Sequence, residues 1–148
     1  MSGGRGASSL PDHPRGPGVS DPVRDLTDYE VRYQQLPFEP IQAAYRRRHV
    51  LARVAAAAPG RLLEVGCGEL PLFVDLPGQT TVVVEPASVF AGNARRMAAD
   101  RPDVTVVQAL LEEAPADSLG GAFDMVVVSG LLHEVPDPQR LLRAVRRS

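Results

Sequence analysis

The chain has no tryptophan, a single cysteine, and only three tyrosines and four phenylalanines in 148 residues. A lone cysteine, Cys67, excludes an internal disulfide and fits a reducing compartment, so the chain reads as cytoplasmic. No apolar run approaches the length that spans a bilayer, and the N-terminus lacks the apolar centre of a signal peptide, so no membrane partner is expected. An excess of positive charge is also missing. Sixteen basic residues face 18 acidic ones, a formal charge of −2, which gives no electrostatic footing for nucleic acid. No spacing of residues suggests a metal site. The length suits one domain with one core.

Structure-forming residues are scarce at the start. The first 22 residues hold five glycines, four prolines and four serines, with no aromatic residue. Such a segment buries too little apolar surface to offset its ordering entropy, so residues 1–25 are read as a disordered tail. The domain is read as 26–148. A helix is expected from Pro40, with Ile41, Ala44, Tyr45, Leu51 and Val54 on one face and Pro59-Gly60 as its stop. Core packing is the expected fate of the aromatics around it. Four short apolar runs follow, at about 61–65, 80–85, 104–108 and 123–128, the pattern of parallel strands covered on both faces. Between and after them lie two helical patterns. Residues 88–99 have Ser88 as cap and Phe90, Ala94 and Met97 inward; residues 138–147 have Asp137 as cap and Leu141, Leu142 and Val145 inward. This alternation predicts an α/β fold with a doubly wound parallel sheet.

The chemistry concentrates at residues 61–68, Arg-Leu-Leu-Glu-Val-Gly-Cys-Gly. A buried strand there breaks into two glycines that let backbone approach a ligand. Nineteen residues after Gly66, the run Thr80 to Val84 also ends in an acid, Glu85. Two adjacent parallel strands ending in a glycine loop and a carboxylate cradle a nucleoside, with the carboxylate accepting from ribose hydroxyls. Glu64, two positions before Gly66, would repel the pyrophosphate of a dinucleotide. Pro71 stands where the dinucleotide fingerprint wants a small residue. An acid there suits a ligand that is cationic at that end, and a sulfonium nucleoside fits better. Cys67, between the glycines, reads as a small residue filling a tight loop.

On these residues the chain resembles the class I S-adenosylmethionine-dependent methyltransferases. Leu62 to Gly68 is similar to their first motif, Val83-Val84-Glu85-Pro86 to the acidic end of their second strand, and Phe123 to Val135 to their fourth strand and its following loop. The resemblance covers roughly residues 29–148. It implies S-adenosylmethionine as cofactor and a Rossmann-like sheet in the order 3-2-1-4, with an N-terminal helical lid from which Tyr45 or Arg46 reaches the cofactor carboxylate. It places Glu64, Gly66, Cys67, Gly68, Glu85, Pro86 and Ser129 at the cofactor. The family often sets an acid after its third strand to hold the adenine amino group. Gln108-Ala109-Leu110-Leu111 stands there instead, so the backbone amides of Leu110 and Leu111 are expected to take the adenine edge.

Methyl transfer from a sulfonium is an in-line displacement, and a base is needed only when the acceptor must lose a proton. His133, just past the fourth strand, is the candidate base; a loop histidine bonded to backbone is the equal alternative. The family sheet has seven strands, and only four are found here. The chain is therefore read as a fragment, with its fourth strand an edge open to self-association. The function read from all this is a methyltransferase acting on a small-molecule acceptor. A nicotinamide-dependent oxidoreductase and an inactive cofactor-binding or interaction half-domain are the alternatives.

Overall fold

The computed structural model describes residues 38–148. The tail at 1–25, the domain start at 26, and Tyr29 and Tyr33 lie outside the described residues. Helix α1 covers Glu39–Ala57, with Pro40 in its first turn, where a missing N–H leaves no bond unmade. It ends at Ala58, whose φ of 45° is left-handed, as its N–H returns to the Val54 carbonyl at 2.9 Å. Glycine holds that conformation without the Cβ clash. Ala58→Gly is therefore expected to stabilise the protein by about 0.5–1 kcal/mol, the strain relieved less the added freedom of the unfolded chain. Urea unfolding checks it, and a lower midpoint in the variant would contradict it.

Strands β1 (Arg61–Val65), β2 (Thr80–Val84), β3 (Val104–Val107) and β4 (Met125–Val128) form one parallel sheet in the order β3-β2-β1-β4. The sheet is the doubly wound one that the strand–helix alternation predicts, and its order is the one that the family resemblance implies. Helix α2 (Ser88–Met97) links β2 to β3; the short α3 (Ala116–Leu119) precedes β4, and α4 (Pro138–Arg147) follows it. In register, Glu64 stands beside Val83 of β2 and Val127 of β4. Side chains alternate between the faces of a strand. Leu63, Val65, Val82 and Val84 bury one face together with Leu141 and Ala144 of α4. Val83 meets Phe73, Cys67 and Ala94 of α2 on the other. Glu64 points to this second face, the side of Val83. Among the described residues no helix is long and apolar enough to cross a membrane.

Arg61 stitches the segment before β4 to the start of β1. Its guanidinium donates to the carbonyls of Leu119, Gly120 and Ala122 at 2.8–3.1 Å and lies 4.8 Å from the Phe123 ring centre. Asp124 accepts from the Arg61 N–H at 2.7 Å. A planar fork suits several carbonyls at once.

Several expectations need correction. Among the described side chains of α1 only Val54 is fully buried; Ile41, Tyr45 and the preceding Phe38 are exposed, at 69%, 60% and 68%. The first half of α1 meets a cavity through Pro40, Ala43, Ala44, Arg46 and Arg47, and Ile41 and Tyr45 stand outside that contact. Ser88 is the first helical residue of α2 and not its cap; Ala87 stands at the cap, and Glu85 accepts its N–H at 2.9 Å. Met97 and Leu142 face solvent. Ala144, one turn after Leu141, takes the inward position expected of Leu142. Asp137 does cap α4, accepting from the Arg140 N–H at 2.9 Å.

Candidate functional site

A cavity of about 300 Å³ opens at the carboxyl end of β1. Its floor is Glu64 and the loop Gly66-Cys67-Gly68. One wall is α1 through Pro40, Ala43, Ala44, Arg46 and Arg47, another is Glu69, Leu70 and Leu72, and Ser129, Gly130 and Leu131 close it after β4. Open α/β sheets bind ligands at this end of their strands.

The loop takes its shape from two left-handed glycines, Gly66 at φ 74° and Gly68 at φ 58°. A Cβ on Gly66 would stand 3.1 Å from Leu131 Cδ2, whereas one on Gly68 would enter open space. The Gly66 N–H donates to the Val84 carbonyl at 2.9 Å, which carries the sheet's pairing into the loop. Gly130, also left-handed at φ 71°, lies under Arg46; a Cβ there would stand 3.3 Å from Arg46 Nε.

Glu64 is 5% exposed and accepts the Leu72 N–H with both oxygens, at 2.9 and 3.2 Å. Burial pushes its carboxyl up to about 7, against the Leu72 bond and the Arg47 charge, which favour ionisation; Glu85 adds to the rise. The group therefore titrates near neutrality. Glu85 is buried too. It accepts from Gly68 N–H at 3.2 Å and Ala87 N–H at 2.9 Å, and burial raises its carboxyl while these bonds oppose the rise. Burial, then the Glu85 and Glu64 charges, push the Cys67 thiol well up, which makes it a poor nucleophile.

The structure thus brings Glu64, Gly66, Cys67, Gly68 and Ser129 around one cavity. Glu85, Pro86, Leu110, Leu111 and His133 are not in its lining. Glu85 and Pro86 follow β2, and the Glu85 N–H donates to the Val107 carbonyl of β3 at 3.0 Å, so the two strand ends stay joined. Leu111 packs its side chain in the core beside Leu141. His133 is largely exposed, its Nε2 3.4 Å from Glu134 Oε1. Glu134 Oε2 is buried without a hydrogen-bond partner among the described residues.

Sequence reasoning missed Arg47. It donates to the carbonyls of Leu70 and Pro71 at 2.6 and 2.9 Å and pairs with Asp75 at 2.8 Å. Nothing in the run Arg46-Arg47-Arg48 separates it from its neighbours, because its partners lie 23–28 residues away.

A family model described as a methyltransferase domain matches residues 63–148, more than half the chain and the stretch from the middle of β1 through α4. The chain belongs to the methyltransferase-domain family. The resemblance read from the glycine loop, the acid after β2 and the fourth strand is borne out by that match. No curated protein matches the sequence significantly. Among solved structures, the N-terminal domain of EvdMO1, determined with SAH and D-fucose, is 26% identical; the alignment covers 69% of this chain and 46% of that one, with a TM-score of 0.58. The glycopeptide N-methyltransferase MtfA is 25% identical over 68% of this chain and 49% of its own, at a TM-score of 0.52. The N-methyltransferase NodS from Bradyrhizobium japonicum WM9, solved with S-adenosyl-L-homocysteine, shares the fold at 19% identity and a TM-score of 0.56, over 78% of this chain and 57% of that one. The chain spans about half the length of these solved structures.

Proposed function

We propose that this chain is the S-adenosylmethionine-binding part of a methyltransferase that acts on a small-molecule acceptor. The observation that carries the reading is the cavity itself: a glycine loop at the end of β1 beside a buried carboxylate, Glu64, that ionises near neutral pH. A cationic or ammonium-bearing ligand suits that floor, and a pyrophosphate does not. The lining also carries both signs, Glu64 and Glu69 with Arg46 and Arg47, which suits the zwitterionic end of an amino acid. The open space beside Gly68 leaves room for close approach of a ligand to backbone. Support comes from family membership, and from the solved EvdMO1 domain with SAH and MtfA with sinefungin.

In this reading Glu64 holds the ammonium, Arg46 the carboxylate, and Ser129 the methionine stem. Glu85 takes the ribose hydroxyls. The Gly68 and Ala87 amides already engage it with the Cys67 amide and thiol beside them, and an ionised carboxylate has about four acceptor sites, so a ribose hydroxyl would share or replace one of these donors. Pro86 and the amides of Leu110 and Leu111 form the adenine side. When bound, the cofactor supplies an electrophilic methyl group on sulfonium. The chain's own work is to orient it and to exclude water. His133 serves as general base toward an acceptor that must lose a proton, with Glu134 beside it. The acceptor of MtfA is a glycopeptide by its name, and D-fucose accompanies the EvdMO1 domain; both favour a small polar acceptor here.

Calorimetric titration with S-adenosylhomocysteine tests the cofactor. Binding is expected, with Glu85→Gln weakening it about tenfold through loss of charge-assisted bonds. Equal affinity in the variant would remove the ribose role. Binding of NADH without S-adenosylhomocysteine would overturn the reading in favour of an oxidoreductase.

A further inference from the structure

The segment from Glu69 to Leu76 borders the cavity through Glu69, Leu70 and Leu72, and side chains from elsewhere hold its backbone. Asn93 of α2 donates to the Glu69 carbonyl at 2.8 Å. Arg47 donates through Nη1 to Leu70 at 2.6 Å and through Nη2 to Pro71 at 2.9 Å. Arg101, after α2, takes the carbonyls of Phe73 and Leu76, each at 3.0 Å. The Leu72 N–H runs the other way, into Glu64. Buried backbone groups must be paired, and this strap is paired from both sides.

Arg47 is the donor that α1 contributes to the strap. The same helix forms the facing wall through Pro40, Ala43 and Ala44. Its guanidinium also meets Asp75 Oδ2 through Nε at 2.9 Å and Nη2 at 2.8 Å, so it reaches the strap at three residues. Moving Arg47 moves both the strap and the helix. We propose that Arg47 is a positioning residue for the cofactor cavity: it fixes the 69–75 strap against α1 and so sets how the Leu72 amide meets the Glu64 carboxylate.

The electrostatics agree with the geometry. Arg47 favours the ionised form of Glu64, as does the Leu72 amide that Arg47 helps to place. The other groups around Glu64 are Glu85 from the end of β2, Arg46 from α1, Glu69 at the start of the strap, the protonated Cys67 thiol of the glycine loop, and Asp75 through its pair with Arg47. Asp75 balances Arg47, so the two should act on Glu64 with opposite sign. A staple that only joins a helix to a loop has no such property.

The functional consequence rests on the cofactor reading above, while the physical effect is measurable without cofactor. The test is a pH titration by NMR of the Glu64 carboxyl carbon and the Leu72 amide in the 148-residue chain. It is run for the wild type, Arg47→Gln, Arg47→Lys and Asp75→Asn, and S-adenosylhomocysteine binding is then followed by calorimetry across the same pH range. Arg47→Gln is expected to raise the Glu64 midpoint by about one pH unit. Asp75→Asn should lower it. Arg47→Lys should keep the midpoint nearer to wild type yet weaken binding several-fold, because an ammonium lacks the fork that spans two carbonyls. Should Arg47→Gln fail to fold, the downward shift in Asp75→Asn still decides the sign. Unchanged Glu64 and Leu72 titrations in variants that only melt earlier would overturn the proposal. The expected midpoint shifts in a protein that binds no S-adenosylhomocysteine at any pH would uphold Arg47's hold on Glu64 and defeat the cofactor reading instead.

Discussion

Glu64→Gln is expected to stabilise the protein above pH 7 while weakening its hold on S-adenosylhomocysteine. Burial raises the Glu64 carboxyl from its ordinary 4.5 to about 7. Below pH 4.5 the folded and unfolded chains both carry the proton. Between 4.5 and about 7 the folded state keeps it and the unfolded chain does not, so stability falls as pH rises through that window. The displacement corresponds to about 3 kcal/mol, and above pH 7 the folded protein bears that cost in full. Glutamine is nearly isosteric, and its carbonyl can still accept the Leu72 N–H. The variant should therefore lose the pH dependence and unfold at higher urea than the wild type at pH 8, with little difference at pH 4.5. Affinity should move the other way. An ionised Glu64 facing an ammonium is a charge-assisted contact worth about 1.5–3 kcal/mol, so the variant should bind roughly tenfold or more weakly at pH 8. Wild-type affinity should also decline as pH drops below 7, and that of the variant should not. Parallel stability curves for the two proteins from pH 4.5 to 8 would show that Glu64 is not held near neutrality. Unchanged affinity would leave it a purely structural acid. A carboxylate that destabilises the empty fold and strengthens a ligand is a common feature of functional sites.

The glycine loop should respond unequally to the smallest possible insertion. Gly66→Ala places a methyl group 3.1 Å from Leu131 Cδ2 at a φ of 74°. Left-handed strain of about 1–2 kcal/mol adds to crowding of about 1–3 kcal/mol, for a total of roughly 2–5 kcal/mol. Gly68→Ala carries the strain at φ 58° but meets nothing within 4 Å. It should cost only about 1–2 kcal/mol of stability. In the proposed site its methyl group would stand where the cofactor approaches the loop, so its loss should show in affinity. The expected pattern is crossed: Gly66→Ala falls mainly in melting temperature, and Gly68→Ala mainly in S-adenosylhomocysteine binding. Denaturant curves and calorimetry on the same two variants read both quantities. Equal losses in each would mean that the two glycines do one job and that Gly68 does not border the ligand.

Much of the fold was legible in the chain because parallel strands buried on both faces have to be short continuous apolar runs. Leu62 to Val65 and Thr81 to Val84 are buried throughout, and they are the two runs with the plainest pattern. The breaks after them are equally plain, since only glycine takes the turn at Gly66 beneath Leu131 without a clash. Helix faces were less legible. Periodicity tells which residues share a side of a helix but not what that side meets. Ile41 and Tyr45 share a stripe yet are exposed and stand outside the cavity lining, which that half of α1 meets through Pro40, Ala43, Ala44, Arg46 and Arg47 instead. Leu142 is exposed because the inward line of α4 runs through Leu141, Ala144 and Val145, three and four residues apart, and leaves it to one side.

The same division runs through the site. Residues whose role depends on backbone shape or on adjacency to a strand end were marked in the order of amino acids: Glu64, Gly66, Gly68 and Glu85 all stand within three residues of a strand's last residue, and chain order puts them there. What Glu64 does with its charge was decided elsewhere. Its acidity depends on burial, on the Leu72 amide eight residues on, and on Arg47 from a helix that precedes it. Glu85 reads in sequence as a ribose acceptor, yet in three dimensions it also joins the glycine loop to the start of α2. Local sequence carries turns, periods and strand ends because each is a property of a few consecutive residues. Acidity, clamping and the shape of a cavity belong to groups brought together from distant segments, and packing alone chooses which groups those are.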